Sequence, residues 1–151
     1  MLAALETLAD RLESLPLATR QELVTLVQRF GGFLLNYNRD YLQREGRRPD
    51  GEVIGSGQYS SAYKAYKSKY GRFNNTAFID LKFSGDFLAS FILEYDGSLL
   101  FHIVANDKKA SFLAKYGELL GIRKEDLDDF VSAILEPEIR AFVARYMENI
   151  A

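Results

Sequence analysis

The stretch TAFIDLKFSGDFLASFILEYDGSLLFHIVA, residues Thr76 to Ala105, decides the fold class of this chain. From Phe87 to Tyr95 every second residue is apolar, which is the side-chain repeat of a β-strand. The dipeptide Asp96-Gly97 that follows tolerates the positive φ angles of a type I′ turn, so it predicts a tight hairpin. Leu99 to Val104 returns as the second strand. Because both faces of this hairpin are fairly apolar, we expect other elements to cover each of them.

Helical periodicity precedes the hairpin. Leucines recur at positions 2, 5, 8, 12 and 15, which predicts a short helix that Pro16 interrupts. Thr19 to Glu22 has the capping-box pattern that begins a longer helix. The pair Gly31-Gly32 lies inside this longer helix, and each glycine costs roughly 1 kcal/mol relative to alanine. We therefore expect a close helix contact or, as the favoured interpretation, a kink at this pair.

Further elements are predicted on both sides of the hairpin. Phe78 to Phe83 is a candidate third strand, and Ser84-Gly85-Asp86 separates it from the next one. Ala110 to Leu120 has the apolar spacing of an amphipathic helix, and Arg123 to Leu135 predicts a second helix. Pro137 suits the first turn of a last helix, where its missing N–H removes no hydrogen bond.

These patterns predict an α+β fold in a single domain. N-terminal helices occupy residues 1–45, a small antiparallel sheet built around the β-hairpin occupies residues 76–105, and C-terminal helices packed on that sheet occupy residues 110–150. A chain of 151 residues is long enough to bury one core. Its apolar fraction of 48% and charged fraction of 26% are ordinary for a globular protein.

Composition excludes several classes of function. The net charge of −2 provides no global basic field that would attract nucleic acid, although local patches remain possible. Cysteine is absent, which excludes disulfides, thiolate metal sites and a cysteine nucleophile. No apolar run is long enough to span a bilayer, and the N-terminus lacks the basic start of a signal peptide. We therefore expect a soluble protein that is intracellular where it is made.

Catalytic patterns are weak throughout the chain. His102 is the one histidine, and no serine or acid stands at a motif spacing that would pair with it. The acidic run Asp126-Leu127-Asp128-Asp129 lacks the glycine and terminal glutamate of a calcium loop, and an acidic helix start explains it better. The sequence therefore predicts no catalytic, cofactor-binding or metal-binding residues, and a protein that is not an enzyme.

Two segments are candidates for contact with a partner. The loop from Arg44 to Gly51 carries three arginines that could touch a phosphate backbone, although such a loop is more commonly a solvated connection. The segment Tyr59 to Tyr70 spaces its tyrosines as one helix face and places lysines between them. Packing on the sheet with the lysines in water is the first interpretation, a protein interface the second and base stacking the third.

The order of several motifs adds a resemblance. Pro49-Asp50-Gly51 is followed by Tyr59-Ser60-Ser61-Ala62-Tyr63 and by the basic segment Lys64 to Arg72. Ile79 to Phe91 then opens the sheet, and Lys115-Tyr116-Gly117 follows the hairpin. This order resembles the tail-completion and neck proteins of tailed bacteriophages, the virion-morphogenesis group. In that group a helix, a loop and a Tyr/Lys segment precede a (T/S)-G-x-L-x-x-S element at the start of a small sheet.

The resemblance implies a structural role without catalytic residues. Such a protein forms a ring between the connector and the tail, or caps the tail tube. Its partners would be other virion neck or tail proteins and further copies of itself in a homo-oligomeric ring, with DNA only passing through the lumen and no membrane. It would be made in the host bacterial cytoplasm and reside in the virion. The expected contact residues are Arg44, Arg47, Arg48, Tyr59, Tyr63, Tyr66, Asp96 and Gly97.

Two other functions remain open at this stage. The first is an intracellular protein-binding module, of the immunity or adaptor type, that uses the tyrosine-rich face on one partner. The second is nucleic-acid binding, in which aromatic rings would stack on bases and cations would hold phosphates. The residues for that second function are Tyr63, Lys64, Tyr66, Lys67, Lys69 and Arg72.

Overall fold

The computed structural model describes residues 16–97 and 100–150, and the predicted helix of residues 2–15 lies outside this part of the chain. Helices combined with a two-stranded antiparallel sheet confirm the α+β class. The described residues divide into two compact units. The core unit comprises residues 35–92 and 103–122, and the helical unit comprises residues 16–34, 93–97, 100–102 and 123–150. The prediction of a single domain stays a prediction.

The sheet consists of β1, Phe91–Tyr95, and β2, Phe101–Ala105. The hairpin is confirmed, and β2 begins at Phe101, whereas the predicted strand start at Leu99 lies outside the described residues. The Asp96 N–H donates to Leu100 O at 3.3 Å. Gly97 does adopt the positive φ, 88°, that made the dipeptide a turn signal.

The predicted third strand at residues 78–83 is wrong, because this fully described segment is irregular. The hydroxyl of Tyr59 accepts hydrogen bonds from the backbone N–H groups of Asp80 and Leu81 at 3.2 Å each. These two amides are therefore not available to a neighbouring strand. Leu81 also has a φ of 55°, a left-handed conformation that interrupts extended backbone.

The strand predicted from Phe87 begins four residues late. Residues Asp86–Ala89 form the short helix α3 instead, after Gly85 at a φ of 93°. Phe87 and Phe91 are both buried, and their rings meet edge to face at 5.2 Å. The contact joins α3 to the first residue of β1, so the apolar residues of this segment pack in the core although only those from Phe91 onward lie in a strand.

The long helix α1, Leu17–Asp40, runs without a break and continues into a π-helical turn, Tyr41–Glu45. It begins two residues before the predicted capping box, so Thr19 lies in its first turn. The predicted kink at Gly31-Gly32 is not seen as a break in the helix. A Cβ atom added at Gly31 would lie 2.7 Å from Cδ2 of Leu93, so close packing explains this glycine.

Helix α2 is Ser61–Tyr70, and α4 is Ala110–Leu113 with a 3₁₀ turn at Ala114–Tyr116. The helix predicted to reach Leu120 therefore ends at Tyr116, and Gly117 follows at a φ of 91°. A Cβ atom at Gly117 would lie 2.1 Å from Nη1 of Arg48, so the Arg48 side chain occupies the space beside this glycine.

The C-terminal part of the chain contains α5, Lys124–Phe130, a π-helical turn, Val131–Leu135, and α6, Glu136–Ile150. Pro137 lies in the first turn of α6, as predicted. Proline has no N–H, which makes the preceding turn a natural place for the helix to change its hydrogen-bond register.

The core unit is held together by seven buried apolar residues that come from five separate stretches of sequence: Leu42, Ile54, Ile79, Phe87, Leu88, Phe91 and Leu119. Asn38 is fully buried beside them, where it donates to Leu119 O at 2.9 Å and accepts from the Gly121 N–H at 3.3 Å. These bonds fix the irregular segment after α4. Within residues 16–97 and 100–150, no helix has both the length and the apolar character to cross a membrane.

Candidate functional site

Helix α2 carries the tyrosine-rich segment, and the prediction of a helix there is confirmed. Ser60 is its N-cap, since its Oγ accepts from the Tyr63 N–H at 3.3 Å. Tyr63, Tyr66 and Tyr70 follow at helical spacing with exposed fractions of 37%, 52% and 58%. Most of this aromatic face therefore remains on the surface of the core unit.

Lys67 is an exception to the prediction that the lysines of α2 lie in water. Its side chain is completely buried and forms an ion pair with Asp80, which is 2% exposed. Lys67 lies four residues after Tyr63, on the aromatic side of the helix. A buried Lys67 cannot reach a nucleic-acid backbone, so this member of the candidate nucleic-acid set is corrected.

The carboxylate of Asp80 is saturated with donors. Oδ1 accepts from Lys67 Nζ, from the Tyr59 hydroxyl at 2.9 Å and from the Lys82 N–H at 3.0 Å. Oδ2 accepts from Nδ2 of Asn75 at 3.3 Å. A buried charge with this many partners is compensated where it stands. The cluster of Tyr59, Lys67 and Asp80 therefore fixes the irregular segment 78–83 beside α2.

Tyr59 joins this cluster to the surface. Burial, followed by the negative charge of Asp80, raises the pKa of the Tyr59 hydroxyl well above its ordinary value of 10.0. The hydroxyl therefore keeps its proton at neutral pH and donates it to Asp80, while its oxygen accepts the two backbone N–H groups. Burial also raises the pKa of Tyr63, with Asp80 as the next cause.

A half-open groove of about 560 Å³ lies between α2, the segment 79–87 and α4 of the core unit. This volume falls in the range of sites that accept a small ligand or several side chains of a partner. Its walls are mainly aromatic, with polar groups at Ser56, Gln58, Ser60 and Ser84. We call it the aromatic groove, and its ring-bearing and basic lining residues are Tyr59, Tyr63, Tyr66, Phe83, Phe87, Phe112, Tyr116, Lys109 and Lys115.

The rings of the aromatic groove support one another. Tyr66 stacks on Phe83 with ring centroids 5.6 Å apart and an interplanar angle of 12°, and it also contacts Tyr70 at 5.1 Å. Phe112, from α4, is 65% exposed. Packed but solvent-facing aromatic rings are a surface that gains free energy when a partner covers it.

Both charged residues that line the aromatic groove are lysines. Nζ of Lys115 lies 3.9 Å from the ring centroid of Phe112 and 5.1 Å from that of Tyr116. Nζ of Lys109 lies 3.8 Å from Oδ2 of Asp86 and 3.9 Å from Oδ2 of Asp107, and both distances are at the outer limit of an ion pair. The groove is therefore basic as well as aromatic, a combination that the sequence did not indicate, because Lys109 and Lys115 are far from the tyrosines along the chain.

The arginine loop lies elsewhere in the core unit. Arg44 pairs with Asp40 at 3.1 Å, Arg48 pairs with Asp50 at 3.0 Å, and Arg47 donates from Nη1 to Gly51 O at 2.7 Å. Arg47 and Arg48 therefore bind acceptors within their own loop, whereas Arg44 pairs within the helical turn that precedes it. Of the predicted contact residues, the structure brings Tyr59, Tyr63 and Tyr66 together in the aromatic groove, and it brings none of the arginines into the groove lining.

The hairpin tip belongs to the helical unit. Asp96 lies 3.6 Å from Nε2 of His102, measured from its Oδ2 atom, and both side chains are largely exposed. The neighbour of His102 is thus the carboxylate that directly follows β1, and this pair contains no nucleophile for the imidazole to activate.

The described acids and histidine form no group of three that could hold a metal ion. Comparison of the chain with protein-family models, with curated proteins and with solved structures found no match.

Proposed function

We propose that this chain is a structural virion protein of a tailed bacteriophage that acts at the neck or tail-completion interface between connector and tail. One observation supports the proposal. The motifs that carry the resemblance lie far apart in sequence, yet all of them fall in the core unit. They are Pro49 to Gly51, Tyr59 to Arg72, Ile79 to Phe91 and Lys115 to Gly117.

The motif glycines pack against residues that directly flank other motifs. A Cβ atom at Gly85 would lie 3.0 Å from the ring of Phe73, and the space beside Gly117 is filled by Arg48. Gly55, in the loop between two motifs, meets the ring of Tyr116 in the same way at 3.0 Å. Two glycines of the resemblance therefore lie at packed positions of one small unit.

The surface that this unit presents is suited to protein binding. Tyrosine is favoured at interfaces because it combines a large apolar ring with a polar hydroxyl. In a closed ring each copy uses the same two patches, one on each side, and the aromatic groove is a candidate for one of them. Other neck or tail proteins would bind the faces of the ring, and DNA would pass only through its lumen.

Deletion of the gene from the phage that encodes it tests this proposal. We expect filled heads and free tails that fail to join, and restoration of infectious particles by the gene supplied in trans. Mass spectrometry of purified virions should then detect the chain. Normal particle assembly after deletion would contradict the proposal.

A matched pair of variants refines this test. Tyr66→Ala removes an exposed ring of the aromatic groove, and Phe33→Ala removes an equally exposed ring, 50%, from α1. We expect Tyr66→Ala to restore fewer infectious particles than Phe33→Ala. Equal restoration by the two variants would remove the groove from the assembly interface.

An intracellular binding module, of the immunity or adaptor type, is the second candidate. The observation that favours it is the exposure of Tyr63, Tyr66, Tyr70 and Phe112 on one compact unit. Such a module would remain in the cytoplasm with one tightly bound protein, and deletion of its gene would leave virion assembly normal.

A further inference from the structure

The two lysines of the aromatic groove are only weakly matched by carboxylates, since the nearest to Nζ of Lys109 lie 3.8 and 3.9 Å away, at Asp86 and Asp107. The groove lining has two lysines and no aspartate or glutamate. Among the residues that the structure describes, Lys115 forms no ion pair, and its ammonium group instead faces two aromatic rings. An occupant that places a carboxylate beside Lys115, a second one at the exposed Lys109, and apolar atoms against the rings would therefore complement this groove.

The same chain presents exposed carboxylates on α5. Glu125 and Asp129 are exposed, lie four residues apart on one helix face, and form no ion pair within residues 16–97 and 100–150. Their neighbour Asp128 is already paired with Lys124. Two like charges at this spacing repel each other on an isolated helix, and two cations from outside would remove that repulsion.

We propose that the aromatic groove of one copy binds the acidic face of α5, carried by Glu125 and Asp129, of a second copy. The proposal rests on the function proposed above and names the two patches of its ring contact. Two carboxylates meet two lysines, and the helix covers the exposed rings. Because the groove and α5 are different surfaces, the contact is head-to-tail and each copy can bind two neighbours.

Sedimentation velocity of the purified full chain tests this directly, over about 10 to 500 μM and at low and high salt. We expect concentration-dependent association that weakens with added salt, because the charge pairs are screened. The groove variant Lys109→Glu with Lys115→Glu, and the helix variant Glu125→Lys with Asp129→Lys, should each move the association midpoint at least about tenfold to higher concentration.

Mixing the two variants provides the decisive step. In the mixture an acidic groove meets a basic helix and a basic groove meets an acidic helix, so association should return to the level of the unmodified chain. All four positions are exposed, and circular dichroism will establish that the variants fold. Should a reversal variant fail to fold, the corresponding glutamine and asparagine substitutions should still weaken association.

Three results would overturn the proposal: an unmodified chain that stays monomeric throughout, variants that associate normally, or a mixture that does not recover. An unmodified chain that stays monomeric overturns the self-contact even if it binds another virion protein or nucleic acid. None of these results depends on virions, so failure here together with defective assembly after gene deletion would remove the self-contact and leave the virion role standing.

Discussion

The core unit uses the same residue types in two opposite ways. In the buried cluster, Tyr59 and Lys67 surround Asp80 and leave it 2% exposed. In the aromatic groove, Lys115 lies over exposed rings without a carboxylate partner among the described residues. A lysine with a buried partner stabilises the fold, whereas a lysine without one remains available for binding. Tyr59 belongs to both regions, since its ring lines the groove and its hydroxyl binds Asp80.

Removal of Lys67 should cause the largest loss of unfolding free energy. Lys67→Ala leaves the Asp80 carboxylate buried without its cation, which costs about 3–5 kcal/mol of unfolding free energy. Lys69→Ala, on an exposed part of the same helix, should change it by less than about 0.5 kcal/mol. Urea denaturation of the two variants measures both values. Equal stability of the two would show that the buried pair does not hold the segment 78–83.

The Tyr59 hydroxyl should have the next largest effect. Tyr59→Phe leaves the N–H groups of Asp80 and Leu81 without an acceptor and removes a donor to Asp80, which costs about 2 kcal/mol. Tyr63→Phe is the matched control, because no hydrogen bond of the Tyr63 hydroxyl connects it to the cluster. The same denaturation experiment separates the two, and a similar loss from both variants would contradict this account.

Alkaline pH should remove the contribution of the Tyr59 hydroxyl to stability. The pKa of Tyr59 is raised in the folded state by burial and by Asp80, so the folded protein holds this proton more tightly than the unfolded chain. The contribution to stability is complete below the ordinary tyrosine pKa of about 10 and is lost as the pH rises towards the folded-state pKa. Urea midpoints between pH 8 and pH 11 should fall less steeply for Tyr59→Phe. If the urea midpoints of Tyr59→Phe and of the unmodified chain fell in parallel with pH, deprotonation of Tyr59 would not be the cause of the loss.

Truncation of Phe112 should have the smallest effect on stability and a clear effect on binding. Its ring is 65% exposed, so Phe112→Ala should change the unfolding free energy by less than about 0.5 kcal/mol. Loss of a ring at the centre of an interface costs 1 kcal/mol or more, as a rough estimate, in binding free energy. Urea denaturation measures the stability of this variant, and sedimentation velocity measures its association. A variant that loses stability but associates normally would show that Phe112 supports the fold and not the interface.

Local patterns predicted the elements whose hydrogen bonds are local. Ser60 and the spacing of Tyr63, Tyr66 and Tyr70 are sufficient for α2, and Pro137 marks the first turn of α6. The hairpin around Gly97 was predicted for the same reason, because glycine is the residue that adopts its positive φ.

The candidate site was only half predictable. The tyrosines of the aromatic groove belong to one helix, so their spacing was enough to group them. Phe83, Lys109, Phe112 and Lys115 join them only through folding, and the sequence offered no periodicity that connects α4 with α2. The sequence did not indicate the burial of Lys67 for the same reason. A lysine on a helix face is solvated unless a carboxylate from another part of the chain lies against it.

The sequence by itself determined the α+β class, the position of the hairpin, the helix of the tyrosine-rich segment and a surface without strong net charge. Tertiary structure alone decided that residues 78–83 are not a strand and that Phe87 to Ala89 are helical. The physical reason is competition for backbone amides. The Tyr59 hydroxyl accepts hydrogen bonds from the N–H groups of Asp80 and Leu81, which lie 21 and 22 positions further along the chain. A local sequence pattern does not indicate a partner at that separation.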